Sequence, residues 1–322
     1  MKRLIKILAV LALVLGAAFL IFRTPDTDAA EMRAKYGAQP SQFVTLPDGQ
    51  EVHVRDEGPK DAPAIILLHG SAASLHTWEP WAAALSAQYR VISYDQIGHG
   101  LTGPSIDDDY SLDSFVADVD AVANALELDQ FVLAGSSMGG WVSVGYALEH
   151  PERLKGLVLV GSSGSPVRHE ERAGGSIGFT IASLPVLNNL MTQITPRSLI
   201  AQSLEQSVSV KSVASEEAVD RYWELLRYPG NRAATLKRFG TPRVTYSEEQ
   251  MAAMQVPTLV MMGKEDALVP VEASRWYDAN LPNSVLVEYA EIGHLPQEEA
   301  VDQSMTDLGQ WLVNEPFKLD SP

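Results

Sequence analysis

The stretch Phe131 to His150, FVLAGSSMGGWVSVGYALEH, constrains this chain more than any other. An apolar run, Phe131-Val132-Leu133-Ala134, runs into Gly135-Ser136-Ser137-Met138-Gly139 and straight on into a helical pattern that stops before Pro151. That is a strand, a very tight turn and a helix. A serine at the tip of such a turn is held in strained backbone, and glycines two positions either side allow strand and helix to approach. Ser137 is thereby the candidate nucleophile, and Ser136 beside it reads as turn filler.

Further apolar runs extend the pattern. Ala64 to Leu68, Val91 to Tyr94, Gly156 to Val160, Thr258 to Met262 and Val285 to Tyr289 read as strands, the first of them buried on both faces. Phe43 to Leu46 and Val52 to Val54 flank Pro47-Asp48-Gly49, a hairpin signal, with His53 expected on the strand's surface. Ser111 is a candidate N-cap for a helix with Phe115, Val119, Val122 and Leu126 on one face, and a last helix presents Val301, Met305, Leu308 and Trp311 or Leu312.

The nucleophile turn, its flanking strand and helix, and the alternating order around it resemble the α/β-hydrolase fold. The resemblance spans about Phe43 to Leu312. It implies a mostly parallel, eight-stranded α/β sheet with helices on both faces and an inserted helical cap. The expected division is an anchor or signal segment over 1–22, a linker or short tether helix over 23–40, core over 41–164, cap over 165–255 and core again over 256–315. About ninety residues without a convincing strand, broken at Pro185, Pro196, Pro229 and Pro242, are too many for a strand-to-helix connection. Within them, Ile177 to Met191 is apolar enough to form the cap's core, to line an acyl pocket or to face a membrane.

By the same resemblance Asp266, after the strand ending at Met262, is the triad acid, and His294, in Gly293-His294, is the base. Glu265 is expected to face solvent. The order Ser137, Asp266, His294 is that of this fold. Backbone N–H groups of Ser71, in the His69-Gly70 loop, and Met138 are the expected oxyanion donors, with Ala72 a one-residue alternative to Ser71. His69, Asp95 and His99 read as structural, and His76 and Trp78 as lying at the pocket rim or beneath it. Serine rather than aspartate at the turn counts against dehalogenases and epoxide hydrolases. It implies acyl-enzyme chemistry on a carboxylic ester, small or lipid-like, of esterase or monoacylglycerol-lipase type. Two alternatives are a hydrolase of carbon–carbon bonds in ring-fission products, whose elbow is similar to this GxSMGG, and a binding protein that keeps the scaffold without chemistry.

Composition narrows partners and place. Met1 to Phe22 carries Lys2, Arg3 and Lys6 ahead of sixteen uncharged residues, an N-terminal membrane anchor more than a cleaved signal because no Ala-x-Ala-like site follows. The basic residues then place the catalytic body outside the cytoplasm, in the periplasm if the source is Gram-negative. Beyond residue 24 there are 20 basic and 41 acidic residues, which argues against nucleic acid as a partner. The chain has no cysteine, and no His/Asp spacing suggests a metal or other cofactor.

Overall fold

The computed structural model describes residues 2–167 and 192–317. Its eight strands are β1 (Ser41–Thr45), β2 (Glu51–Glu57), β3 (Ala64–Leu68), β4 (Arg90–Tyr94), β5 (Phe131–Ser136), β6 (Leu154–Val160), β7 (Thr258–Gly263) and β8 (Ser284–Tyr289). They form one sheet in the order β1-β2-β4-β3-β5-β6-β7-β8. β2 is antiparallel to both β1 and β4, and every other pairing is parallel.

Period-two geometry explains why the central strands are apolar throughout. Ile66 and Leu68, with Leu133, Leu157 and Leu159, pack on one face against Phe115, Val119, Val142 and Tyr146. Ile65 and Leu67, with Val132, Val158, Val160 and Met261, pack on the other against Trp78, Trp81, Leu308, Trp311 and Leu312. A strand covered on both sides has no polar face to show.

The helices are α1 (Lys2–Phe22), α2 (Ala29–Tyr36), α3 (Glu79–Leu85), α4 (Leu112–Ala125), α5 (Met138–Glu149), α6 (Arg197–Ser207), α7 (Glu216–Leu226), α8 (Asn231–Gly240), α9 (Glu248–Ala253), α10 (Val271–Asn280), α11 (Pro296–Glu299) and α12 (Val301–Asn314). Ser111 caps α4 as expected, its side chain accepting from Ser114 N at 3.3 Å. Between β6 and β7 the described residues contain helices α6 to α9 and no strand. The expected apolar stretch Ile177 to Met191 lies outside the described residues.

The segment 23–40 holds the short helix α2 but departs from a free tether, because its backbone is bonded into the cap. Thr24 N donates to Gln193 O (2.8 Å), Thr27 N to Arg227 O (2.9 Å), and the largely buried Arg232 guanidinium donates to Thr24 O (2.8 Å) and to Asp26 Oδ1 (2.6 Å). Met32 is buried with Leu101, Leu225 and Tyr228. Composition alone hid this strap because its partners lie about two hundred residues away in the chain.

His53 is a second departure. It is fully buried, with Nδ1 2.7 Å from Asp95 Oδ2 and Nε2 2.8 Å from Ser41 Oγ. Alternation along β2 signals two faces, and here a neighbouring loop covers the one that was expected to be wet. Asp95 also accepts from Leu75 N and Leu101 N, both at 2.8 Å, so it ties three segments together and is structural. Burial alone pushes its carboxyl up, but the His53 ring and its hydrogen bond, with His69 and His76 nearby, hold it well below the usual carboxylate range. A carboxyl depressed on folding stabilises above its unfolded pKa, and the contribution fades as pH falls toward the folded value. Asp95→Asn is therefore expected to cost about 3–5 kcal/mol near neutral pH, because it breaks a buried pair. Urea unfolding at pH 7 and at about pH 2 should show the deficit narrowing in acid, since the contribution is lost only below the unfolded carboxyl pKa of about 4.

Candidate active site

Ser137 sits between the end of β5 and the start of α5 with φ 53° and ψ −112°, a region that residues with a Cβ rarely occupy. Its N–H donates to Val160 O at 2.9 Å, and its carbonyl accepts from Trp141 N (3.2 Å), Ser163 N (3.1 Å) and Ser163 Oγ (3.1 Å). The strained conformer persists because both ends of the residue are held. The flanking glycines are required by contact. A Cβ at Gly135 would lie 2.3 Å from the Gly139 carbonyl, and one at Gly139 would lie 2.2 Å from Leu68 O.

His294 and Asp266 meet in the loops after β8 and β7, and both are largely buried. His294 Nδ1 lies 2.6 Å from Asp266 Oδ2. Asp266 Oδ1 accepts from Leu268 N (2.7 Å) and Val269 N (2.9 Å), so the carboxylate is oriented from behind. With the acceptor on the Nδ1 side, the ring keeps its proton there and leaves Nε2 free to take one.

One short stretch brings the two halves together. Val160 and Ser163 hold the Ser137 backbone, and Gly161 between them lies where a Cβ would be 3.3 Å from Asp266 Oδ2 and 3.4 Å from His294 Nδ1. Among the described residues no hydrogen bond joins Ser137 Oγ to His294. In the absence of substrate such contacts are commonly long and tighten in the reacting complex.

Gly70 runs beside the serine, since a Cβ there would lie 3.1 Å from Ser137 Cβ. That places the Ser71 loop and the first turn of α5, with Met138, on the flank of Ser137. Met138 opens α5, where the first N–H groups have no helical acceptor. Ala72 takes a left-handed φ of 59°, which turns the loop. His69 is buried, accepts from Gln96 N at 3.0 Å and donates to Gly70 O at 2.7 Å, so it braces the loop. His76, Trp78 and His99 are also buried.

Several neighbours had no signal in the sequence. Tyr277 Oη donates to Ser163 O at 2.7 Å, behind the serine, and Tyr246 Oη donates to Trp141 O at 2.6 Å. Arg238, on α8 of the cap, is largely buried, and its Nη1 lies 3.3 Å from Met138 Sδ. Burial pushes its guanidinium down to about 10, so it is still a cation at neutral pH. Glu265 is exposed, as expected, and accepts from Ser209 Oγ of the cap at 2.6 Å. Each of these contacts spans more chain than local pattern can read. Among the described residues no cluster of His, Asp or Glu is arranged to hold a metal ion.

The chain is 26% identical to a 2-hydroxy-6-oxo-2,4-heptadienoate hydrolase of Pseudomonas putida over 265 residues, covering 80% of this chain and 90% of the relative. It is 29% identical to a pimeloyl-[acyl-carrier protein] methyl ester esterase of Nitrosomonas europaea over 251 residues, covering 76% and 93%. Among solved structures, a membrane phospholipase A described as a bacterial virulence factor superposes with a TM-score of 0.70 at 20% identity, covering 99% of this chain and all of its own. The family model for the alpha/beta hydrolase fold matches residues 63–301, a span that holds the strained serine, the Asp266–His294 pair and the Gly70 loop. On that match and this architecture, the chain belongs to the alpha/beta hydrolase fold family.

Proposed function

We propose that this hydrolase cleaves carboxylic esters, small or lipid-like, through an acyl-enzyme on Ser137. The observation that carries the reading is a histidine locked by Asp266 through Nδ1 at the same 160–163 stretch that holds the strained Ser137 backbone. Ser137 Oγ attacks the ester carbonyl carbon as His294 Nε2 takes its proton. The N–H groups of Met138 and of Ser71, or Ala72 in its place, hold the oxyanion. His294 returns the proton to the departing alcohol, then deprotonates a water that attacks the acyl carbon and releases the acid. No cofactor takes part in this scheme.

The lipid-like part of the reading rests on the N-terminus. Ile5–Phe22 is long and apolar enough to cross a membrane, and none of that window is buried within the protein. The strap that follows it is bonded to the cap, so a membrane holding α1 would also hold the cap's approach to the site. We place the body outside the cytoplasm, with Lys2, Arg3 and Lys6 at the inner face. The shared fold with a membrane phospholipase A, over 99% of this chain, is in keeping with that reading.

The dienoate hydrolase relative favours a second reading, cleavage of a carbon–carbon bond on the same residues. The test is a series of p-nitrophenyl esters and a phospholipid in mixed micelles, set against a vinylogous diketone ring-fission product, all with the full chain. Ester turnover that rises with acyl length supports the proposal. Diketone cleavage with no ester turnover would replace it.

A further inference from the structure

We propose that Glu299 is a positioning residue for His294, and that through it the cap's conformation sets the placement of the histidine. This rests on the reading of His294 as the general base. One carboxylate has four backbone donors. Glu299 Oε2 accepts from Gly293 N (3.0 Å), Ser209 N (2.7 Å) and Val210 N (3.0 Å), while Oε1 accepts from Leu295 N (3.0 Å). Gly293 and Leu295 flank His294, so the histidine's backbone is gripped from both sides.

The other two donors belong to the cap, in the segment that follows α6. That segment holds the histidine directly as well, because His294 N donates to Ser207 O at 2.8 Å. Gly293 lies so close to it that a Cβ would be 2.7 Å from Ser207 O and 2.8 Å from Ser209 N. Ser209 Oγ also reaches Glu265, the neighbour of Asp266. A short piece of cap backbone is therefore pinned to both loops that carry the acid–base pair.

Among the described residues no lysine or arginine pairs with Glu299. Its charge is spent on N–H groups alone, each a charge-assisted bond, and a carboxylate accepts about four. Any movement of residues 207–210 away from the core withdraws two of those donors and the Ser207 carbonyl together. What remains grips residues 293–295 less firmly. A rearrangement of residues 207–210 on substrate binding thus shifts His294 relative to Ser137.

The test uses the full chain in detergent, with kcat and KM for p-nitrophenyl butyrate and the rate at which a fluorophosphonate labels Ser137. Glu299→Ala is expected to lower kcat by about 10- to 100-fold, the scale of a small misplacement of a reacting group, with KM within about threefold. Labelling should slow in parallel, and added formate should restore part of both rates. Val210→Pro removes one cap-side donor at a φ of −81°, within proline's range, and leaves residues 293–295 untouched. It is expected to lower kcat about three- to tenfold, with little further loss when combined with Glu299→Ala, as residues acting as one unit behave.

A Glu299→Ala enzyme within twofold of wild type, or one whose loss follows only its unfolded fraction and ignores formate, overturns the positioning role. Wild-type kcat in a folded Val210→Pro enzyme overturns the link to the cap. Should wild type itself be neither labelled at Ser137 nor active on esters, the assignment of the base falls first and this inference with it.

Discussion

Ser137→Ala is expected to lower kcat on any accepted ester on the order of a million-fold, the scale seen when a triad nucleophile is removed. Thermal unfolding should stay close to wild type. The alanine keeps the Cβ, and the bonds that hold residue 137 use its backbone N–H and carbonyl, donating to Val160 and accepting from Trp141 and Ser163. Loss of activity with the fold intact isolates the hydroxyl. Fluorophosphonate labelling followed by mass measurement is the direct check: one adduct on wild type, at Ser137, and none on the variant. Activity that survives within tenfold would move the nucleophile elsewhere.

Asp266→Asn is expected to reduce kcat by about 10⁴-fold while leaving KM and stability nearly unchanged. The structure dictates how the amide must sit. Oδ1 already accepts from Leu268 N and Val269 N, so the asparagine oxygen takes that side and its NH2 turns toward His294 Nδ1. Nδ1 must then accept, the ring proton moves to Nε2, and the nitrogen facing the serine can no longer take a proton. Steady-state kinetics on p-nitrophenyl butyrate measure the loss. A variant within tenfold of wild type would show that Asp266 does not set the tautomer.

Much of this site was legible before any coordinates. The glycines of the elbow are demanded locally, by a backbone that must turn within one residue, and the apolar strands announce themselves because both their faces are covered. Asp266 and His294 each follow a strand end, as the resemblance implied, and the structure pairs them 2.6 Å apart. His53 was misplaced for the opposite reason: its alternation with Val52 and Val54 is genuine, but its environment is made by Ser41 and Asp95 from other segments. Glu265 is exposed, as its place beside Asp266 suggested, but that its carboxylate also meets Ser209 of the cap could not be read locally.

From residue order alone came the strand, turn and helix that carry Ser137, the succession of buried strands, the long helical interruption and the apolar N-terminal run. Those follow from side-chain period and from what glycine and proline allow, which act over a few neighbours. Tertiary structure alone decided that Arg23 to Tyr36 straps onto the cap, that Glu299 grips both sides of His294, and that Gly161 leaves room for the Asp266–His294 pair beside the stretch that holds Ser137. Such contacts join residues far apart in the chain, and nothing in local periodicity encodes which distant donors a carboxylate will find once the chain has folded.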